Sequence, residues 1–224
     1  MNSLSTIATV RVAGQDLMLL PERAVFMPAS DTLLIADAHF GKASTFRQLG
    51  VPVPSGTTGE TLDVLAGIVK RLQVQRIVFL GDFLHSARSR APTTIAAMSE
   101  WRERHASLEL ILVRGNHDER AGDPPEHLDI QAVDEPLMHG DIALCHMPQS
   151  QPDAYVLAGH MHPCLSIGGR AHDWHRLPCF WFTAQFGVLP AFGAFTGMQT
   201  IRASRGERVF AATDERVFEL RPKR

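Results

Sequence analysis

The sequence lacks the features that mark a general polyanion-binding or membrane protein. Its 22 lysine and arginine residues are balanced by 24 acidic residues, so no overall positive field attracts nucleic acid. It has no uninterrupted run of about 18 apolar residues, and its first residues lack a basic stretch followed by an apolar segment. We therefore expect a cytoplasmic protein with no membrane association. Any site for a polyanion must be local.

Cysteines and aromatic residues are also few. The three cysteines, Cys145, Cys164 and Cys179, are odd in number and widely spaced, which favours free thiols in a reducing compartment over a disulfide framework or a zinc cage. Aromatic residues make up 7% of the chain. We expect the tryptophans to pack within the protein and not to stack on bases. These tryptophans are Trp101, Trp174 and Trp181.

The periodicity of apolar residues predicts that strands and helices alternate in the first part of the chain. Strands are expected at 32–36, 76–80 and 110–113, and helices after Thr57 and from Pro92. Short connections of this kind favour a parallel sheet. The second part shows short strands without a convincing helix. Since no linker, repeat or low-complexity segment divides the chain, we predict one domain over 1–224, with two facing sheets and helices outside.

Five apolar runs each end in side chains that can bind a metal ion. In chain order the runs lead into Asp37-Ala38-His39, Gly81-Asp82, Gly115-Asn116-His117-Asp118, His146 and Gly159-His160-Met161-His162. Any one of these motifs is weak evidence, because aspartate or histidine after a strand is more often a turn or structural residue. Their conjunction at the ends of five runs predicts a shared site.

The ligand types predict a centre for two divalent ions. Seven side chains are candidate ligands: Asp37, His39, Asp82, Asn116, His146, His160 and His162. Carboxylate, imidazole and amide ligands without thiolates suit manganese, iron or zinc, and they are too many for one catalytic ion. Asp82 is the predicted bridge, because it stands alone after its strand. Two such ions would lower the pKa of a bridging water and clamp a phosphoryl group, which predicts hydrolysis of a phosphate ester.

These motifs resemble the signature of the calcineurin-like metallophosphoesterase superfamily. The resemblance spans 37–162 and implies a four-layer α/β/β/α sandwich. It also implies which ligands each ion has: Asp37, His39, Asp82 and His162 for one, and Asp82, Asn116, His146 and His160 for the other. His117 becomes the catalytic histidine, which protonates the leaving oxygen or stabilises the phosphoryl charge. Asp118 is a candidate for orienting it.

A narrower resemblance is to the bacterial ligase-associated DNA damage response endonucleases of the PdeM type. It rests on 37–42, 81–86 and 189–197. It implies a manganese-dependent phosphodiesterase acting on DNA, and a functional association with DNA ligase and with helicase or nuclease repair proteins. In SbcD-like repair nucleases a histidine also follows Gly-Asp at this spacing, which makes His85 a candidate for positioning the phosphodiester. A supporting role behind the ligands, or a structural one, explains His85 equally well.

The substrate is less well defined than the metal site. Among the basic residues near the predicted site, Lys42 and Arg114 are the best candidates for phosphate binding, although such residues also occur on solvated helix faces. The same two ions would serve a phosphomonoesterase acting on nucleotides or phosphoproteins. A scaffold that has lost its metals is the alternative from another class, and the complete ligand set argues against it.

Overall fold

The computed structural model describes residues 6–48, 50–51, 57–168, 174–193 and 196–220. Its first sheet has seven strands in the order β1 to β7. The first four strands pair antiparallel, and β4 to β7 pair parallel, so the carboxyl ends of β4, β5 and β6 lie at one edge. The strands are β1 Ala8–Val12, β2 Gln15–Leu19, β3 Val25–Met27, β4 Thr32–Ile35, β5 Arg76–Leu80, β6 Glu109–Val113 and β7 Ile130–Val133.

The second sheet has nine strands, all from the later part of the chain. Its central strands β9, β10 and β13 are parallel, so their carboxyl ends share an edge. The strands are β8 Leu137–His139, β9 Ile142–Leu144, β10 Tyr155–Ala158, β11 Pro163–Gly168, β12 Trp174–Phe182, β13 Phe186–Val188, β14 Gln199–Thr200, β15 Arg208–Ala212 and β16 Val217–Leu220.

Four α-helices lie within the described residues, all before the second sheet begins: α1 Lys42–Gln48, α2 Thr57–Leu72, α3 Pro92–Arg104 and α4 Asn116–Ala121. Leu62 and Leu65 of α2, with Met98 and Trp101 of α3, pack in one core cluster with residues of the first sheet. Pro92 occupies the first turn of α3, where its missing N–H leaves no bond unmade. The helices therefore cover the outer face of the first sheet.

A second core joins the two sheets. Leu34 and Val78 of the first sheet pack in one cluster with Leu144, Leu157 and Phe180 of the second. Their neighbours along the strands point to the helix side instead, because side chains alternate along a strand. Both faces of these strands are buried, which explains their uninterrupted apolar runs.

The predicted sandwich of two facing sheets with helices outside is confirmed. The short helices α1 and α4 were not predicted, and Asn116 begins α4 where the sequence favoured a plain turn. Trp101 is buried and Trp181 is partly buried, but the expectation for Trp174 was wrong, since this residue is 67% exposed. In the part of the chain that the structure describes, no helix is long and apolar enough to span a membrane.

Candidate metal centre

The seven predicted ligands come together between the carboxyl ends of the two sets of parallel strands. Asp37 and His39 follow β4, Asp82 follows β5 and Asn116 begins α4 after β6. His146, His160 and His162 follow β9 and β10. Contacts join the two groups, because His146 Nε2 lies 3.5 Å from Asp82 Oδ1 and His162 Nε2 lies 3.3 Å from Asp37 Oδ1.

Backbone conformation directs several of these side chains into the site. Five of the seven candidate ligands have positive φ values between 46° and 66°: Asp37, His39, Asp82, His160 and His162. This left-handed conformation costs a residue with a Cβ atom about 1–3 kcal/mol and persists only where the surrounding structure enforces it. The concentration of strained residues at strand ends is typical of a functional site.

Two glycines let the chain segments of the site approach each other. A Cβ atom at Gly81 would lie 2.1 Å from His146 Nδ1, and Gly81 also has a φ of 79°. A Cβ atom at Gly115 would lie 2.5 Å from Asp82 Oδ1. Any larger residue at either position would collide with a candidate ligand.

Backbone carbonyls orient two of the histidines. The Nδ1–H groups of His146 and His162 donate to the carbonyls of Leu80 and Gly197, at 3.0 and 2.8 Å. A carbonyl only accepts, so the proton resides on Nδ1, and Nε2 is the nitrogen available to a metal ion. His146 Nε2 lies 3.0 Å from both Asn116 Oδ1 and His160 Nδ1.

The carboxylates hold both sides of the site. Asp37 Oδ2 accepts a hydrogen bond from the backbone N–H of His160 at 2.8 Å, and Asp82 Oδ1 accepts one from that of His117 at 2.9 Å. Each carboxylate also has a second oxygen. These bonds fix the carboxylates without using all their lone pairs, so ligand capacity remains.

The donor set fits divalent ions. Asp37 Oδ1 and His162 Nε2 are buried and lie 3.3 Å apart, but with the His162 proton on Nδ1 both are acceptors and neither satisfies the other. His39 Nδ1 is also buried without a hydrogen-bond partner, and such atoms are costly unless another group satisfies them. Three groups of ligand atoms each lie within 4.8 Å of one another: Asp37, His39 and His162; Asp37, Asp82 and His146; and His39, His85 and His117. Burial lowers the pKa of His39 to about 2, so its imidazole is neutral and able to bind a metal ion.

His117 lies beside this centre with its ring anchored. Its Nδ1–H donates to the carbonyl of His85 at 2.7 Å, and its Nε2 lies 3.9 Å from Asp82 Oδ2. The His85 ring stacks on it with centroids 5.2 Å apart, and His85 Nδ1 is buried without a partner. Burial lowers the pKa of His85 to about 4.

Asp118 organises the backbone around His117. Its buried carboxylate accepts hydrogen bonds from the N–H groups of Phe83, Leu84 and Gly115, at 3.0, 3.4 and 2.9 Å. Burial raises the pKa of Asp118 to about 6, although these hydrogen bonds oppose the rise. The hydrogen bond that orients the His117 ring is accepted by the His85 carbonyl and not by Asp118, so Asp118 supports the loops that carry both histidines.

The two candidate phosphate-binding residues have different surroundings. Lys42 is half-buried beside the site, where burial lowers its pKa and the charges of Asp37 and Asp82 raise it. Arg114 donates to Asp123 through Nε and Nη2 and to Asp134 through Nη1. The charge of Arg114 is therefore already engaged, whereas Lys42 faces the carboxylates of the site. Phosphate binding by either residue stays a prediction.

Glu135 is a supporting residue that the sequence did not reveal. Its Oε2 accepts hydrogen bonds from the backbone N–H groups of His146 and Met147, at 2.6 and 3.0 Å. No pattern could have indicated this contact, because Glu135 lies between β7 and β8 whereas His146 follows β9.

The segment 189–197 did carry a signal in the sequence, since it contributes to the family resemblance. Within it, Phe192 and Gly193 donate hydrogen bonds to the carbonyls of Ala36 and Asp37, at 2.9 and 3.2 Å.

Comparison with known proteins gives a family and a similar structure. The model of the calcineurin-like phosphoesterase family matches residues 31–143. The crystal structure of Pseudomonas putida nuclease MPE is 42% identical, covers 96% of this chain and 100% of its own, and superposes with a TM-score of 0.85. The phosphoesterase YfcE from E. coli is 12% identical over 84% of this chain and 97% of its own, with a TM-score of 0.43, too low to carry an argument. No curated protein matches the chain.

Proposed function

The chain belongs to the calcineurin-like phosphoesterase family, and we propose that it is a metal-dependent phosphodiesterase that cleaves DNA as a repair endonuclease in the cytoplasm. The observation that carries this proposal is the 42% identity to a nuclease over nearly the whole of both chains. The family and the clusters of ligand atoms support divalent ions. We further propose two ions, with manganese favoured over iron or zinc.

The proposed ligand sets follow the family pattern. Asp37, His39, Asp82 and His162 would hold one ion, and Asp82, Asn116, His146 and His160 the other. When bound, such ions activate water as a nucleophile and neutralise charge on the phosphoryl group. Asp82 suits a shared ligand, because its two oxygens lie near histidines from both proposed sets.

His117 would act on the leaving oxygen. With its Nδ1–H bonded to the His85 carbonyl, Nε2 is the atom that would deliver a proton to that oxygen or contact the phosphoryl group. The ring is only partly buried, which leaves it accessible from the site. His85 would position the phosphodiester or support His117, and Lys42 would contact a phosphate. The weaker candidate for that contact is Arg114, whose guanidinium is bound to two aspartates.

A comparison of two small substrates tests the phosphodiesterase proposal. The purified protein, loaded in turn with manganese, iron or zinc, is assayed with bis(p-nitrophenyl) phosphate and p-nitrophenyl phosphate. We expect faster hydrolysis of the diester. A strong preference for the monoester would instead identify a phosphomonoesterase, and a protein that binds no divalent ion at micromolar concentration would be a scaffold.

Cleavage of DNA tests the finer proposal. Supercoiled and single-stranded circular DNA are incubated with the manganese-loaded protein and with its Asp82→Asn variant. Because a circle has no ends, opening of either substrate identifies an endonuclease, and the variant should leave both circles intact. Absence of cleavage at high protein concentration, with metal content verified, would reject DNA as the substrate. Association with ligase or helicase proteins is a separate proposal, which co-purification tests.

A further inference from the structure

The outer parts of β11 and β12, 165–168 and 174–177, form a two-stranded ribbon that extends past the edge carrying the candidate metal centre. β12 runs antiparallel to β13, and Trp181 pairs with Val188 at the carboxyl end of β13. From that point back to Trp174 the strand continues by about 23 Å, at about 3.3 Å per residue. Within this length 179–181 still pair with β15, and among the described residues 174–177 pair with β11, where Gly168 lies opposite Trp174. The ribbon is therefore an arm beside the site.

One face of the arm continues the face that the second sheet turns toward the first. Side chains alternate along a strand, so Trp174, Arg176 and Phe180 lie on the same face of β12. Phe180 belongs to the core between the two sheets. The arm thus turns Trp174 and Arg176 toward the first sheet, at the edge where the candidate ligands of that sheet follow their strands.

Trp174 presents a free aromatic face. It is 67% exposed, more than any other large hydrophobic residue that the structure describes. A Cβ atom built on Gly168 would lie 2.8–2.9 Å from three consecutive ring atoms, Cζ3, Cε3 and Cη2. Similar distances to three consecutive atoms mean that the ring turns its face, and not its edge, toward Gly168. The opposite face of the indole is open to solvent.

The arm is also linked to a candidate ligand through Arg176. Nη2 of Arg176 donates hydrogen bonds to the Met198 carbonyl and to Thr200 Oγ1. The residue before Met198 is Gly197, whose carbonyl orients His162. Arg176 therefore fixes the arm to the segment that supports the site and adds positive charge beside it.

We propose that the arm binds an unpaired strand of DNA, with a base stacked on the open face of Trp174 and a phosphate near Arg176. This proposal rests on the proposed function. An exposed indole attracts any unpaired base, and an adjacent cation attracts the backbone, whereas the bases of a duplex are already stacked on each other. The DNA strand would continue from the scissile phosphate to the arm, since Gly168, at the end of β11, lies at most about 20 Å from His162.

Substitution of Trp174 separates this proposal from the proposed function. The affinity of a fluorescently labelled single-stranded 15-mer is measured by anisotropy without added divalent ion, and hydrolysis of bis(p-nitrophenyl) phosphate is measured with manganese. For Trp174→Ala we expect the Kd for the 15-mer to rise about 5- to 160-fold, the range for loss of one stacked base. Hydrolysis of the small diester should remain within twofold of wild type, because that substrate cannot reach the arm.

Three further measurements sharpen the test. Trp174→Phe keeps an aromatic face and should retain most of the affinity. Met138→Ala is the matched control, since Met138 is also an exposed hydrophobic residue, 53% exposed, but lies on β8 at the far edge of the sheet. Binding of the 15-mer should quench tryptophan fluorescence in the wild type, and the quenching should be smaller in Trp174→Phe.

Several outcomes would overturn the proposal. An unchanged Kd in Trp174→Ala would remove the arm from DNA binding. An equal loss on DNA and on the small diester would mean that Trp174 only maintains the structure. If Trp174→Ala weakened the binding of duplex DNA and of single-stranded DNA equally, base stacking would be excluded. If Trp174→Ala changed the oligomeric mass of the protein, a second copy of the chain would be the occupant that covers Trp174. Failure of the wild type to hydrolyse the diester would instead count against the proposed function.

Discussion

The two sheets contribute to the candidate metal centre in different ways. The first sheet supplies deeply buried carboxylates, with the side chains of Asp37 and Asp82 at 0% and 4% exposure. The second sheet supplies histidines, with the side chains of His146 and His162 at 1% and 16% exposure. Yet each sheet positions groups of the other, because the Leu80 carbonyl orients His146 and the backbone N–H of His160 fixes the Asp37 carboxylate. The site thus depends on the interface between the sheets, and neither sheet would hold it alone.

The largest expected effect comes from removing the central carboxylate of the first sheet. In Asp82→Asn we expect activity toward bis(p-nitrophenyl) phosphate to fall about 1,000-fold or more, because charge that stabilises the reacting groups is lost. Bound metal, measured by elemental analysis, should fall as well. Asp63→Asn changes an exposed aspartate on α2 and serves as the control. Full activity in Asp82→Asn would disprove its central role.

His117→Ala tests whether this residue of the first sheet acts without binding metal. We expect normal metal content and a rate that falls about 100- to 1,000-fold for a diester with a poor leaving group, the usual contribution of a general acid. The loss should be smaller for a nitrophenyl leaving group, which needs less protonation. If the variant loses its metal, then His117 is a ligand and our division of roles fails.

Gly81→Ala tests the interface between the sheets directly. The new methyl group would lie 2.1 Å from His146 Nδ1 at a residue with a φ of 79°, so we expect a loss of about 2–4 kcal/mol in the free energy of unfolding. Gly67→Ala is the matched control. Gly67 lies within α2, and nothing lies within 4 Å of the position that its new methyl group would take, so this change should stabilise the fold by about 0.5–1 kcal/mol. Denaturant unfolding measures the free energy of unfolding of both variants. If Gly81→Ala were as stable as Gly67→Ala, the close packing of Gly81 against His146 would be contradicted.

The smallest effect is expected for Glu135, which supports His146, a candidate ligand that follows a strand of the second sheet. Glu135→Ala removes the acceptor for the N–H groups of His146 and Met147, so we expect metal affinity to fall about 10- to 100-fold, as for other supporting residues of metal sites. Glu135→Gln keeps one oxygen acceptor, so its metal affinity should fall less than that of Glu135→Ala. Glu103→Gln, an exposed change on α3, is the control. A metal titration with unchanged affinity in Glu135→Ala would show that the histidine needs no such support.

Local patterns predicted the strands of the first sheet well. The bounds of β5 matched, because both faces of this strand are buried and its apolar run stops where the site begins. The helix at Pro92 also begins as expected. Besides Met98 and Trp101, α3 buries Arg102, which contacts Asp129 and two backbone carbonyls. Burial that depends on a distant partner leaves no periodic signal.

The helices α1 and α4 escaped prediction for a related reason. Both helices are short, so tertiary contacts and not intrinsic propensity stabilise them. α4 begins at Asn116 and is held by the Asp118 side chain, which binds the backbone of Phe83 and Gly115. Such a helix has too few turns for a pattern of apolar residues to develop.

Residue types and the order of the motifs are enough to identify the candidate ligands and their family, because ligand chemistry resides in the side chains themselves. They do not specify how the parts meet. The positive φ values of Asp37 and His162, the contact of Glu135 with His146 and the exposed face of Trp174 arise where separate segments of the chain approach each other. These features come from the folded arrangement, since strain, hydrogen bonds between segments and exposure depend on neighbours that no local pattern specifies.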